Sequence, residues 1–135
     1  MKKESFVIDC SAITKWFLVE EHSESALYFL QKTEKREINL YAPRIILIEF
    51  ANVMAKQARI KSVPDEKCIK YLTTFLEMCK SKIINIINQE IFILEILDLS
   101  IKNKISYFDA EYLYLSKKLK YDLITFDKYL KKAAN

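Results

Sequence analysis

Short apolar runs alternate with longer amphipathic stretches along this chain. Four of the runs are bounded by polar positions, which is typical of short buried strands. They predict strands at residues 6–8, 38–42, 83–87 and 122–125. Because the strands of a parallel sheet are buried on both faces and joined by helices, the pattern predicts an α/β fold with three layers, α/β/α, around a short parallel sheet.

The stretches between the runs have apolar residues at helical spacing. They predict helices at residues 11–19, 23–35, 43–60, 65–80, 89–102, 106–119 and 127–135. Pro43 is expected in the first turn of its helix, where proline costs no hydrogen bond, and Pro64 is expected to open the helix 65–80. The segment 89–102 is apolar on most sides, so we expect it to be buried on both sides within the chain or to lie at a subunit interface.

Length and composition predict a single domain over residues 1–135. The chain has 135 residues, 51% of them hydrophobic and 30% charged, which is typical of a folded domain with a soluble surface. No apolar run approaches the ~20 residues of a membrane span, and no signal peptide is expected at the N-terminus. The three cysteines form no C-x-x-C pair, which favours a reducing cytoplasm over a disulfide-forming compartment.

Two residue counts exclude whole classes of chemistry. The chain has no glycine, so it has no P-loop, no dinucleotide-binding G-x-G-x-x-G turn and no glycine-rich kinase loop. A single histidine excludes His-rich zinc sites and most histidine-based acid–base catalysis. Catalysis by this chain would therefore depend on carboxylates.

Four acidic residues stand out by their place in the predicted fold. Asp9 ends the first strand, Asp127 follows the fourth, Asp109 lies near the start of the helix before the fourth strand, and Glu49 interrupts the apolar run 45–51. Open parallel sheets bind ligands beyond the carboxyl ends of their strands, so the four side chains can converge on one crevice. Clustered carboxylates raise each other's pKa, and Mg²⁺ or Mn²⁺ would relieve that repulsion.

Each aspartate also has an ordinary structural interpretation. Asp9 and Asp127 are suited to cap the helices that follow them, and Asp109 stands three residues after Ser106 in a capping box. Glu49 differs, because six of the seven positions in its run are apolar and a buried, unpaired carboxylate is costly. Taken singly, the aspartates fit either interpretation.

Four motifs, taken in order, resemble those of PIN domains, and most closely those of VapC-type toxins, which are small PIN-domain ribonucleases. They are D-x-S at 9–11, an isolated glutamate at 49, Y-F-D-A at 107–110 and T-x-D at 125–127. The resemblance implies an acidic Mg²⁺ or Mn²⁺ site for RNA hydrolysis that is formed by Asp9, Glu49, Asp109 and Asp127, with Ser11 and Thr125 as polar support. Asn52, one turn after Glu49, either hydrogen-bonds into this site or faces solvent.

The resemblance also implies partners. These are an RNA substrate, a second copy of the chain in a homodimer, and a separate VapB-type antitoxin. PIN domains usually have a further strand after the helix that follows T-x-D, so we expect four strands or a fifth supplied by a partner. The alternative function is a non-catalytic or RNA-processing PIN-like RNA-binding module outside a toxin–antitoxin system.

Basic residues are concentrated near the C-terminal end of the chain. Six lysines and two aspartates give the segment 117–132 a charge of +4, which equals the net charge of the whole chain. Such a segment either contacts the RNA backbone or forms a solvated helix face, and phosphate contacts of this kind carry no sequence information.

Overall fold

The computed structural model describes residues 3–18 and 23–135. Four parallel strands form one sheet in this part of the chain, in the order β3-β2-β1-β4. They are β1 (Glu4–Ile8), β2 (Ile38–Pro43), β3 (Ile84–Ile87) and β4 (Asp122–Ile124). The predicted four-stranded parallel sheet is confirmed, and the described residues add no fifth strand.

Seven α-helices in the described residues complete a three-layer α/β/α architecture. They are α1 (Cys10–Phe17), α2 (Ser23–Glu34), α3 (Ile45–Arg59), α4 (Asp65–Lys80), α5 (Ile93–Asn103), α6 (Tyr107–Leu119) and α7 (Lys128–Ala134). The predicted end of the first helix at residue 19 lies outside the described residues. No helix within the described ranges is long and apolar enough to cross a membrane.

The core lies between the central strands and the helices on either side. Val7 and Leu40, on neighbouring strands, are completely buried. Phe50 of α3 and Phe75 of α4 pack with their ring centroids 4.9 Å apart. Trp16 is buried, and its Nε1 donates a 2.7 Å hydrogen bond to the Ala26 carbonyl, which ties α1 to α2.

The prediction that Pro43 lies in a first helical turn is wrong. Pro43 is the last residue of β2, where it pairs with Ile87, and α3 begins only at Ile45. The N–H of Arg44 donates a 2.9 Å hydrogen bond to the Ile87 carbonyl, so strand pairing holds the backbone extended through the proline. A strand end tolerates the missing N–H as well as a helix start does. Pro64, by contrast, is the N-cap of α4, as predicted.

The predicted helix at 89–102 is divided into two elements. A single 3₁₀ turn, Glu90–Phe92, precedes α5, which begins at Ile93. Most apolar side chains of this segment are exposed, including Ile91, Leu94, Leu97 and Ile101. The chain therefore does not bury this helix on both sides, and the subunit-interface alternative stays a prediction.

The carboxyl ends of all four strands lie along one edge of the sheet. Asp9 follows β1 and Thr125 follows β4, and these two strands are neighbours. Gln89 follows β3, the edge strand farthest from β4. The ends of β3 and β1 are two strand spacings, or about 10 Å, apart. This edge is where the acidic residues predicted from the sequence are found.

Candidate active site

Asp9 directly follows β1 and is almost completely buried, with 4% of its surface exposed. Its Oδ1 accepts hydrogen bonds from the Ser11 hydroxyl at 2.7 Å and from the Ala12 N–H at 3.1 Å. Its Oδ2 accepts a hydrogen bond from the Thr125 hydroxyl. The bond from Ala12 makes Asp9 the N-cap of α1. Asp9 therefore caps a helix and also lies at the centre of a polar network.

Two hydroxyl groups connect Asp9 to the turn that follows β4. The Ser11 hydroxyl accepts a 2.9 Å hydrogen bond from the N–H of Phe126, and the Thr125 hydroxyl accepts a 3.0 Å bond from the N–H of Asp127. Each hydroxyl thus donates to the Asp9 carboxylate and accepts from the backbone. Ser11 and Thr125, predicted as polar support, both contact Asp9 directly and fix the position of its side chain.

The electrostatic environment of Asp9 disfavours its charge. Burial raises the pKa of Asp9 from its usual 3.8 to about 6, although the hydrogen bonds from Thr125, Ser11 and Ala12 lower it. The negative charge of Asp109 raises this pKa further. A buried carboxylate in such surroundings is stabilised when a cation binds to it.

Glu49 lies in the second turn of α3, and its side chain is half-buried. The Tyr112 hydroxyl donates a 2.6 Å hydrogen bond to Glu49 Oε1. Burial raises the pKa of Glu49, and the charges of Asp109 and Asp9 raise it as well, while the Tyr112 bond lowers it. The Glu49 carboxylate therefore shares one electrostatic environment with both aspartates.

Asp109 and Asp127 complete the acidic set. Asp109 is half-buried in the first turn of α6, and its N–H donates a 3.0 Å hydrogen bond to the Ser106 hydroxyl. Burial raises the pKa of Asp109, and so does the charge of Asp127. Asp127 is the N-cap of α7, where its Oδ1 accepts a 2.9 Å hydrogen bond from the N–H of Leu130. Like Asp9, Asp127 is therefore both a helix cap and a neighbour of another carboxylate.

The four carboxylates interact in pairs, and Asp109 is the residue that links the others. Asp9, Glu49 and Asp127 each interact with it electrostatically. Asn52 is exposed on α3, which agrees with the solvent-facing alternative, and its contribution to the site stays a prediction. No three histidine, cysteine or acidic side chains in residues 3–18 and 23–135 are already arranged as a metal-binding group.

The donor chemistry of these carboxylates nevertheless fits a hard divalent cation. All four candidate ligands are carboxylates, the donors that Mg²⁺ and Mn²⁺ prefer. Burial is the main cause that raises the pKa of Asp9, Glu49 and Asp109, their mutual repulsion adds to it, and a bound cation would offset both.

Sequence reasoning missed the role of Tyr112. This residue is almost fully buried and holds Glu49, which is 63 positions away in the chain. A signal was present, because Tyr112 follows Asp109 by three residues on one helix and such residues share a face. Helix α6 therefore contributes two residues to the site: the carboxylate of Asp109, and Tyr112, which orients the carboxylate of Glu49.

Comparison with known proteins identifies a family and solved structures with a similar fold. The family model described as PIN domain matches residues 6–135. The crystal structure of PAE2754 from Pyrobaculum aerophilum superposes with a TM-score of 0.74 at 18% sequence identity, over 98% of this chain and 81% of that one. This similarity concerns the fold. No match is found among curated proteins.

Proposed function

Because this chain belongs to the PIN domain family, whose fold is generally that of nucleases, we propose that it is a metal-dependent endoribonuclease that hydrolyses RNA phosphodiester bonds. The observation that carries the proposal is the buried Asp9 carboxylate, whose pKa is raised to about 6 and which interacts with Asp109 and Glu49. A module that only binds RNA gains nothing from clustering carboxylates at such an energetic cost. The cluster therefore favours the enzyme over the non-catalytic RNA-binding module.

The proposed site consists of Asp9, Glu49, Asp109 and Asp127, which together would hold Mg²⁺ or Mn²⁺. When bound, such an ion supplies an activated water and neutralises charge that builds up on the scissile phosphate. The other side chains position the ligands. Ser11 and Thr125 fix Asp9 through their hydroxyl groups, and Tyr112 fixes Glu49. No side chain of this chain has to act as a nucleophile.

The RNA backbone would lie across the lysine-rich segment near the C-terminus. All six lysines of this segment are exposed: Lys117, Lys118, Lys120, Lys128, Lys131 and Lys132. Lys128 is adjacent in sequence to Asp127, so the positive surface begins at the acidic site. Contacts of this kind orient the strand and make binding dependent on salt.

The more specific biological role that we propose is that of a VapC-type toxin in the cytoplasm, inhibited by a VapB-type antitoxin. The motif resemblance across residues 9–127 supports this role. We further propose that residues 1–135 form one nuclease domain that assembles as a homodimer. The exposed apolar side chains of α5 support the homodimer, because an uncovered stripe of this kind is typical of an interface.

The direct test of the enzyme proposal is an RNA cleavage assay with reversible removal of metal. The purified chain should cut single-stranded or structured RNA in Mg²⁺ or Mn²⁺, lose this activity in excess EDTA, and regain it when metal is returned. The Asp9→Asn variant, purified in parallel, controls for contaminating nucleases and should be inactive. Cleavage that continues undiminished in EDTA would contradict the metal-dependent mechanism.

A further inference from the structure

A concave feature lies at the edge of the sheet that carries the acidic residues. This side pocket has a volume of about 270 Å³ and lies at the carboxyl ends of β2 and β3. Ile45 and Ile48 form an apolar wall, Gln89 and Glu111 line a polar side, and Arg44 lies at the rim. Ile48 immediately precedes Glu49, and the charge of Glu111 helps to raise the pKa of Glu49, so the side pocket adjoins the proposed site.

Gln89 is the most unusual residue of the side pocket, since only 3% of its surface is exposed. Its Nε2 donates two hydrogen bonds to Glu111, one to the backbone carbonyl and one to the carboxylate Oε1, both at 3.0 Å. The opposite amide orientation would direct the Gln89 oxygen at two acceptors, so these contacts determine the orientation. Gln89 Oε1 then has no hydrogen-bond partner among the described residues. A buried amide thus holds the carboxylate of Glu111 in place.

The chemistry of the pocket limits what it can bind. Its volume is just below the ~300–1,000 Å³ of pockets for drug-sized ligands, which suits a group as small as a single nucleobase. The aliphatic wall can cover the flat face of a base, while the carboxylate of Glu111, held by Gln89, presents hydrogen-bond acceptors. The matching ligand is therefore planar, with neighbouring N–H donors on its edge.

Guanine is the RNA base that fits this description best. Its Watson–Crick edge carries two adjacent donors, N1–H and the N2 amino group, and one carboxylate can accept from both. Adenine and cytosine each place one amino group beside a ring acceptor, and uracil places one N–H between two carbonyl groups. Proteins commonly read single-stranded RNA by turning a base outward and hydrogen-bonding this edge.

We propose that the side pocket binds a guanine base of the RNA substrate, with Glu111 as the residue that recognises it and Gln89 as a positioning residue. The inference rests on the proposed ribonuclease function, which makes RNA the substrate. The ends of β1 and β3 are about 10 Å apart. The recognised guanine therefore lies close to the scissile phosphate along the RNA strand. Arg44 also lines the pocket, and its largely exposed side chain forms a 3.8 Å ion pair with Glu90, an exposed pairing that a phosphate of the RNA could replace.

Binding measured without cleavage tests this proposal. The Asp9→Asn variant, kept in EDTA, is titrated against fluorescent uridine pentamers with a central guanosine, inosine or adenosine. Inosine lacks only the N2 amino group of guanosine. We expect the guanosine pentamer to bind about tenfold more tightly than either other pentamer. Equal affinities for the three pentamers, or no measurable binding, would overturn the proposal.

Additional substitutions in the same background assign the preference to residues. Glu111→Gln should bring the guanosine-to-inosine affinity ratio close to one, and Gln89→Met should lower it. The matched control Glu95→Gln, which removes the same charge from an exposed position on α5, should leave the ratio unchanged. The ratio reports recognition, since a general loss of stability weakens both complexes alike. A ratio unchanged in Glu111→Gln would overturn the role of Glu111.

A second measurement covers variants that fail to fold. A pentamer with central 6-thioguanosine is photo-crosslinked to the Asp9→Asn protein, and the modified peptide is identified. We expect crosslinks within residues 44–48, 88–90 or 107–112, and crosslinks confined to other segments would contradict the proposal. If the unmodified protein cleaves RNA without any preference for guanine, the proposed guanine pocket would be overturned while the proposed ribonuclease function would stand. Guanine-selective binding without any metal-dependent cleavage would overturn the proposed function alone.

Discussion

The Tyr112 hydroxyl donates a 2.6 Å hydrogen bond to Glu49 Oε1 and thereby connects α6 to α3 at the acidic edge of the sheet. Tyr112 is almost fully buried, so its ring cannot follow a moving carboxylate without repacking the core. The half-buried Glu49 is therefore held at a defined position relative to Asp109, which lies one turn earlier on α6. This bond suggests that orientation of Glu49 is part of how the site works.

Replacing Tyr112 by phenylalanine removes this bond and little else. We expect Tyr112→Phe to reduce RNA cleavage by about 10- to 100-fold, which is typical when a residue that orients a metal ligand is lost. Because a half-buried carboxylate loses a partner, the free energy of unfolding should also fall by roughly 1–3 kcal/mol. The control is Tyr129→Phe, the same change at an exposed position. Unchanged cleavage by Tyr112→Phe would show that Glu49 does not need orienting.

The raised pKa of Asp9 predicts an unusual dependence of stability on pH. The pKa of Asp9 is 3.8 in the unfolded chain and about 6 in the folded chain. Between these two pH values, the folded state binds more protons than the unfolded state. In EDTA, this aspartate should therefore lower the free energy of unfolding as pH rises through that window. Asp9→Asn removes the effect and keeps a good helix cap.

We expect Asp9→Asn to be more stable than the parent chain by up to about 3 kcal/mol near neutral pH and equal to it below pH ~4. Urea denaturation in EDTA at several pH values measures the difference. The control Asp98→Asn, at an exposed pair with Lys102, should change stability little at any pH. A destabilised Asp9→Asn at neutral pH would mean that the carboxylate is needed for folding.

Glu49→Gln separates catalysis from substrate binding. The substitution removes a candidate metal ligand but keeps the size of the side chain and an oxygen that Tyr112 can still donate to. We expect cleavage to fall about a hundredfold or more. Loss of a residue that only orients a metal ligand costs about 10- to 100-fold, and loss of a ligand should cost at least as much. RNA affinity should be unchanged, because the lysine-rich surface is intact. Glu95→Gln, exposed on α5, is the matched control for the loss of charge.

Local sequence patterns predicted most of the fold because they reflect which face of each element is buried. The predicted helix at 65–80 coincides with α4, where apolar spacing and a preceding proline agree. Local patterns were insufficient at Pro43, because a strand end and a helix start both tolerate a missing N–H. Strand pairing between Pro43 and Ile87 decides between them, and this contact joins residues far apart in the chain.

Long-range contacts also explain what was missed in the site. Each candidate carboxylate could be named from its position after a strand, near a helix start or within an apolar run. The contact between Tyr112 and Glu49 spans 63 positions, and the contact between Gln89 and Glu111 spans 22. No periodicity within one helix or strand contains such pairings, so Tyr112 and Gln89 were recognised as residues that orient carboxylates only in the folded chain, whereas Ser11 and Thr125 were expected from their motifs.

The exposed stripe on α5 predicts a homodimer that one charge should disrupt. Leu94, with 75% of its surface exposed, lies in this stripe. We expect Leu94→Glu to convert a dimer to a monomer in sedimentation velocity at tens of micromolar, because an interface would bury the new charge. Ile69→Glu on α4, where 70% of the side chain is exposed, is the matched control and should leave the dimer intact. A parent chain that sediments as a monomer would contradict the homodimer.

The most direct measurement of the central claim is a Mn²⁺ titration, followed by electron paramagnetic resonance of the free ion. It asks whether the carboxylates at the strand ends act together as one cation site. The parent chain should bind Mn²⁺ near neutral pH, with affinity decreasing as the pH falls through about 6, where Asp9 takes up a proton. Asp109→Asn, which removes the carboxylate that links the others, should abolish this binding, while the exposed Asp98→Asn should preserve it. A parent chain that binds no Mn²⁺, or an Asp109→Asn variant that binds it equally well, would contradict the account.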